Sequence, residues 1–170
     1  MSKFKTSNLT LSWRGVETAA GEVAVAFTER GLYAVELPGF HPGRYAAVGD
    51  GDPAWVRMLT RNLRDYLTGK CVHYRCPMDD SGYPPFFQRV LRAASTIPYG
   101  EWRSYRWLAL EADSPLAVRA AGQAMARNRT PLVVPCHRVL RSDGSLGGFG
   151  YGLSWKKRLL QLEDATREDL

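Results

Sequence analysis

The hydrophobic pattern of this chain shifts from mostly strand in its first half to mostly helix in its second, and that shift bounds what it can fold into. Before Asp79-Asp80-Ser81-Gly82-Tyr83-Pro84-Pro85 the pattern is mostly that of strands; after it the pattern is that of helices. Residues 22–27 alternate in polarity. Residues 32–37 repeat the alternation after the turn signal Glu29-Arg30-Gly31, so the two segments predict a β-hairpin. Residues 9–13 can add a third strand, and residues 71–76 read as a last one. Between them, Pro53 opens a helical stretch in which Trp55, Met58, Leu59, Leu63, Tyr66 and Leu67 recur at helical spacing, with Gly69 to end it. The Gly- and Pro-containing segment at 79–85 is the predicted boundary between two domains, 1–80 and 81–170. The predicted class is α/β, of the α+β kind: a small N-terminal sheet with one helix, then a mainly helical domain.

In the second half, Phe86, Phe87, Val90, Leu91 and Ala94 form an apolar stripe that Ile97-Pro98-Tyr99-Gly100 breaks. Ser104 can cap a helix over 105–112. Ser114 can cap another, with Pro115 in the first position, where its missing N–H does no harm. Two short helices joined by Asp113-Ser114-Pro115 suggest a helix-turn-helix. The second is nearly bare of bulk: Ala117, Ala120, Ala121, Gly122, Ala124 and Ala126 surround Arg119. Gly122 costs about 1 kcal/mol relative to alanine in a helix interior. Its presence predicts close approach to another surface, either a packed neighbour or a partner. Residues 132–134 read as a short buried strand. Five glycines between 144 and 152 predict a tightly turning loop. A last helix begins after Ser154 with Lys156-Lys157-Arg158 in its first turn, where the helix dipole disfavours cations. Such a run is either a solvated face or a seat for phosphates.

Charge is uneven. The net +6 divides into +1 over residues 1–84 and +5 over 85–170, and nine arginines against three acids lie between Phe87 and Arg141. That block is a polyanion-binding surface or a solvated basic face. Met1 to Arg14 is polar and holds no apolar segment of a signal peptide, and no apolar run approaches the roughly 20 residues of a membrane helix. The expectation is a soluble, intracellular protein, cytoplasmic or, in a eukaryote, nuclear, with no membrane partner. Three cysteines, Cys71, Cys76 and Cys136, leave at least one thiol unpaired and argue against a disulfide framework. Cys71, His73 and Cys76 offer three metal ligands at loose spacing with no fourth, so no metal and no cofactor are expected. The glycine loop lacks the Lys-Ser/Thr of a phosphate-binding Walker motif.

Pro135-Cys136-His137-Arg138-Val139 carries the chemistry. A nucleophilic cysteine must be a thiolate, and so needs a base or a positive field. Neighbours on a straight strand point to opposite faces, so cooperation of Cys136 with His137 requires a bend, which Pro135 can supply. Taken alone, the pair also fits a buried cysteine beside a structural histidine. With the glycine-rich loop and Glu163 after it, the segment resembles the active-site signature of the O6-alkylguanine-DNA alkyltransferases. The likeness extends upstream through Arg119-Ala120-Ala121-Gly122-Gln123-Ala124-Met125, Asn128 and Ile97-Pro98-Tyr99-Gly100-Glu101 to Phe86-Phe87.

The resemblance implies a DNA repair protein that moves the alkyl group of O6-alkylguanine, or of O4-alkylthymine, in duplex DNA onto Cys136, once and irreversibly. His137 would draw the thiol proton through a water, Glu163 would orient His137, and Asn128 would brace the active-site turn. The helix over 116–126 would lie in the minor groove, with Ala120, Gly122, Ala124 and Arg127 at the DNA. Arg119 would replace the extruded base in the stack, and Tyr105 would push on the 3′ phosphate. Pro131, Val139, Phe149 and Gly150 would form the substrate pocket. The protein would be a monomer when free and could assemble cooperatively on DNA. Two departures matter. Phe149 stands where many relatives have a tyrosine, so it walls the pocket without donating to O6. Gly150 stands where some have serine, and with Gly148 it predicts a roomier pocket.

Overall fold

A computed structural model describes residues 9–163 except 42 and 44. The chain divides into two compact units, Met1–Asp80 and Ser81–Leu170.

In the first unit, β1 (Ser12–Thr18), β2 (Gly21–Thr28) and β3 (Gly31–Glu36) form an antiparallel sheet in that order. Ser12 pairs with Phe27 and Thr18 with Gly21, and a bulge at Ala26/Phe27 shifts the register toward β3. The first strand thus starts later than the 9–13 pattern predicts. Every residue of β3 is buried. Ala26, Tyr33 and Ala34 gather Leu9, Leu11 and Trp13 into one cluster. α1 (Ala54–Tyr66) packs beside β1 and buries Val56, Leu59, Leu63 and Tyr66, whereas Met58 of the predicted stripe is 54% exposed.

Residues 71–76 do not form the expected strand. Pairing falls just beyond them: Leu32 N donates to Pro77 O at 2.8 Å and Asp79 N to Leu32 O at 2.9 Å, a parallel bridge at Met78. Gly31 explains the position. A Cβ there would strike the Pro77 carbonyl, so the chain can pass this closely only over a glycine.

In the second unit, α2 (Pro85–Ser95), α3 (Tyr105–Glu111) and α4 (Val118–Ala126) pack on one another. Ser104 caps α3 as predicted, its hydroxyl accepting from Trp107 N at 3.1 Å. Ser114 does not cap α4. Its carbonyl accepts from Ala117 N at 2.8 Å in a separate turn, and the helix begins only after Ala117. That turn leaves Leu116 98% exposed. Nor are residues 132–134 a strand. Leu132 has φ +72° and Val134 N donates to Thr130 O at 2.9 Å, so the segment is a turn. β4 (Arg103–Ser104) pairs in parallel with β5 (Val139–Leu140). α5 (Leu153–Leu162) starts two residues before Trp155, after Gly152 at φ +87°.

Candidate active site

Cys136 opens a 3-10 turn, Cys136–Arg138. Cys136 N donates to Val134 O at 2.8 Å and Arg138 N to Pro135 O at 2.9 Å, and Val139 N–H closes back on the Cys136 carbonyl. This is the bend at Pro135 that the strand geometry demanded. It leaves Cys136, 7% exposed, at the wall of a cleft, while His137 is fully buried.

Two hubs hold the turn. The first is Glu163, at the end of α5. Its Oε1 accepts from His137 Nε2 at 2.7 Å and from Arg138 Nη2 at 2.9 Å, and its Oε2 accepts from Arg138 Nε at 2.9 Å and from Gly100 N at 3.2 Å. Arg138 Nη1 also donates to Ile97 O at 2.6 Å. Such a forked contact is the geometry in which arginine and carboxylate pair best. The second hub is Asn128. Its Nδ2 donates to Val134 O at 2.9 Å and to Cys136 Sγ at 3.1 Å, while its Oδ1 accepts from Thr130 N and Oγ1 at 3.0 and 3.2 Å. The Tyr83 hydroxyl pins the approach to this turn, donating to Arg127 O at 2.9 Å and accepting from Arg129 N at 2.8 Å.

The electrostatics follow. Burial pushes the Glu163 carboxyl up, but hydrogen bonds from His137 and Arg138 and their charge outweigh it and hold it at about 2. Arg138 holds both oxygens of the same carboxylate in a fork, independently of His137. An ionised Glu163 accepts only, so His137 Nε2 carries the proton and Nδ1 is the ring atom that can receive one. Burial lowers the His137 pKa and keeps the ring neutral. Burial likewise pushes the Cys136 thiol up, against the Asn128 N–H and the Lys156 charge.

The cleft at Cys136 has a volume of about 410 Å³. It is lined by Tyr105 of α3, by Val118, Arg119, Gly122, Met125 and Ala126 of α4, and by Arg141 and residues 147–150. The Tyr105 hydroxyl donates to Gly148 O at 3.5 Å. Gly147, at φ +65°, lies so close that a Cβ would sit 3.0 Å from the Tyr105 ring. Phe149 tilts against Tyr151 at 5.9 Å.

Of the residues singled out from sequence, Cys136, Tyr105, Arg119, Gly122, Phe149 and Gly150 come together in this cleft, with His137, Glu163 and Asn128 behind its wall. Arg119 is exposed, Ala120 is half-buried, and Arg127 is exposed with its guanidinium 5.5 Å from the Phe87 ring. Ala124 corrects the expectation: it is fully buried on the inner face of α4, where no partner can touch it. Pro131 and Val139 are buried away from the cleft, because the turn at 130–134 and β5 carry them into the interior. The Val139 N–H is already spent on the Cys136 carbonyl, so it cannot serve a leaving group.

Val118, Met125, Ala126, Arg141 and Gly147 also line the cleft and were not named as site residues from sequence, although the first three lie on the helix assigned to the minor groove and Arg141 closes the arginine-rich block. Sequence reasoning also misjudged Lys156, which is neither solvated nor near a partner but fully buried. Among the described residues no three His, Cys, Asp or Glu side chains converge as a metal site, and no helix is long and apolar enough to cross a membrane.

A helix-turn-helix flanking a cysteine cleft, with a buried histidine and carboxylate behind the sulfur, fits the DNA alkyltransferase class that the sequence resembles. Comparison with known proteins agrees. A sequence model described as 6-O-methylguanine DNA methyltransferase, DNA binding domain, matches residues 85–165. The methylated-DNA–protein-cysteine methyltransferase of Methanosarcina barkeri is 35% identical over 150 residues, 88% of this chain and 94% of that one. A second protein of that name, from Mycobacterium tuberculosis, is 40% identical over 112 residues, 66% of this chain and 67% of that one. A crystal structure of Mycobacterium tuberculosis OGT in complex with DNA superposes with a TM-score of 0.75 at 32% identity, covering 90% of this chain and 92% of that one. The chain belongs to the methylated-DNA–protein-cysteine methyltransferase family and is a DNA repair alkyltransferase.

Proposed function

We propose that the protein binds duplex DNA through α3 and α4, takes an O6-alkylated guanine out of the stack into the cleft, and accepts its alkyl group on Cys136 in a single irreversible event. The observation that carries this reading is the chain Asn128–Cys136 and His137–Glu163, assembled at and behind the wall of a 410 Å³ cleft beside a helix-turn-helix. The similar Mycobacterium tuberculosis structure in complex with DNA supports the choice of partner.

The thiol proton passes to His137 Nδ1 through a water, and the resulting imidazolium is balanced by Glu163. The sulfur then attacks the alkyl carbon; the S–C bond forms as the C–O6 bond breaks, and guanine leaves with the bonding pair. Burial raises the Tyr105 pKa, so its hydroxyl stays protonated and can donate to the leaving base. The thioether product has no leaving group that His137 could restore, so each molecule reacts once. A base in a duplex is out of reach of a cysteine in a cleft, and flipping costs a few kcal/mol. Arg119, exposed and lining the cleft, would fill the gap left in the stack. O4-alkylthymine presents the same alkyl–oxygen bond and is a second substrate of this reading.

The test is direct. Incubation with duplex DNA holding one O6-methylguanine, followed by digestion, should give a Cys136 peptide heavier by one methylene, at most one per protein, with guanine restored. An unmodified Cys136 on bound DNA would instead mark a lesion sensor, and repeated turnover would mark a cysteine hydrolase. Gly148 and Gly150 leave room in the cleft: a Cβ at Gly148 would meet nothing within 4 Å, and one at Gly150 only the Ala126 carbonyl at 3.7 Å. O6-benzylguanine should therefore react as readily as O6-methylguanine, and a protein inert to the benzyl compound would contradict the roomy pocket.

A further inference from the structure

Lys156 is a fully buried cation that the alkyl-transfer scheme does not use. Its Nζ donates to Val139 O at 2.6 Å, to Leu146 O, and to Gly148 O at 3.2 Å. All three ammonium protons are thereby satisfied, and all by main-chain carbonyls. One carbonyl belongs to β5, just past the Cys136 turn; the other two belong to the glycine-rich loop that walls the cleft. The Nζ also lies 5.9 Å from the centre of the Tyr105 ring. Carbonyl dipoles solvate the charge but do not neutralise it, and among the described residues no carboxylate bonds the ammonium. A buried charge without an anion is expensive, and an apolar side chain of similar length would fill the same space at lower cost. The positive charge of Lys156 acts on the sulfur of Cys136 and favours its anionic form once its proton has left.

We propose that Lys156 is a positioning residue for alkyl transfer: its ammonium clips the glycine-rich loop to β5 and holds a positive charge beside the Cys136 thiolate. This rests on the reading of Cys136 as the acceptor. The clip fixes Gly148 and, through it, the wall that carries Phe149. The charge favours the anionic sulfur electrostatically and keeps its own proton throughout. The charged and titratable groups around the ammonium are Cys136 and His137 on the 3-10 turn, Arg141 beyond β5 and Tyr105 on α3. Only Cys136 among them pulls the ammonium toward its charged form, while burial and Arg141 push it down to about 8. An arginine keeps the charge but is too broad and planar for a cage of three carbonyls, so it separates the two roles.

The test uses the free protein and iodoacetamide, following the Cys136 peptide by mass as a function of pH, with the exposed Cys71 as internal control. Lys156→Met should slow modification of Cys136 at pH 7.5 about tenfold or more and move its pH profile upward by about one unit, with the Cys71 rate unchanged; a unit is a tenfold change in thiolate at fixed pH. Lys156→Arg should restore most of the pH profile but not the rate of alkyl transfer from O6-methylguanine DNA. A Lys156→Met profile that overlays the wild type would overturn the assignment. If Lys156→Met does not fold, the wild type alone decides. The protonation midpoint of Lys156, followed by NMR of its ammonium group, should fall once Cys136 is S-methylated, because coupled groups titrate as a pair; an unchanged midpoint would overturn the assignment. Wild-type protein that takes no methyl from DNA would remove the acceptor reading itself, and is recognised separately because the iodoacetamide profile does not involve DNA.

Discussion

The two units bury different things. In the first, the interior is a sheet of small and branched apolar side chains under one amphipathic helix. Its clearest ion pair, Arg14 with Asp52 at 2.7 Å, keeps the arginine partly in water. In the second, Asn128, Arg129, His137, Arg138, Lys156 and Glu163 are all buried. Charge inside a protein is retained only with partners: Arg138 and Glu163 share a fork, Lys156 bonds main-chain carbonyls, Asn128 bonds both Val134 and Cys136, and His137 bonds Glu163. The first unit buries the acids Glu36, Asp52 and Asp79, whereas among the described residues buried arginine and lysine side chains occur only in the second, around the turn that carries one sulfur.

Four measurements can break or sharpen this contrast. The largest effect belongs to His137→Gln, which should slow alkyl transfer by about 10²–10⁴-fold, the usual range for loss of a general base. Single-turnover kinetics on O6-methylguanine DNA would read it; a rate within threefold of wild type would mean that His137 is structural. Next is stability. Glu163→Gln leaves the Arg138 guanidinium buried without its anion and should cost about 3–5 kcal/mol. Asp52→Asn removes a partly solvated pair and should cost about 1 kcal/mol or less. Urea unfolding compares them, and equal losses would erase the difference between the units.

Acid sharpens the same point. The Glu163 carboxyl is held at about 2 against an ordinary 4.5, so its contribution is complete above the ordinary value and is lost as the pH falls toward 2. His137 is depressed below 6.5 by burial, so its contribution too is present above that value and is lost as the pH falls through the depressed one. Both act in one direction. The unfolding midpoint should drop as pH falls below about 6.5 and drop faster below about 4.5. Glu163→Gln should flatten the lower limb, and a variant as acid-sensitive as the wild type would place the responsible carboxylate elsewhere. The smallest effect is Gly122→Ala. A Cβ there would meet only the Tyr105 ring at 3.9 Å, an ordinary contact. Folding should gain up to about 1 kcal/mol, while alkyl transfer slows because the methyl projects into the cleft mouth. A gain in both would mean that nothing approaches this face closely.

Local chemistry was legible where a side chain decides its own surroundings. Ser104 caps α3 because a hydroxyl before a helix finds the third N–H, and the hairpin at Glu29-Arg30-Gly31 follows from its glycine. The sequence misled where a distant partner decides. Leu132-Val133-Val134 has strand composition, yet the Asn128 amide claims the Val134 carbonyl and the segment turns. Ser114-Pro115 has the form of a cap, yet Ala117 takes the serine carbonyl and delays α4. Lys156 left one trace, a cation against the dipole at the start of α5, but its three carbonyls come from 8 to 17 residues away and no local pattern predicts them. The pairing of Cys136 with Asn128 and of His137 with Glu163 was read only through family likeness, since 26 residues separate the latter two.

The short ladder between β4 and β5 has a mechanical meaning. Ser104, which caps α3, is bonded in register to Leu140, two residues past the turn that carries Cys136. The reading head and the reactive atom are thus riveted together across two rungs. A partner docked on α3 would be gauged against the sulfur through two rungs of main chain rather than through a long, pliant loop.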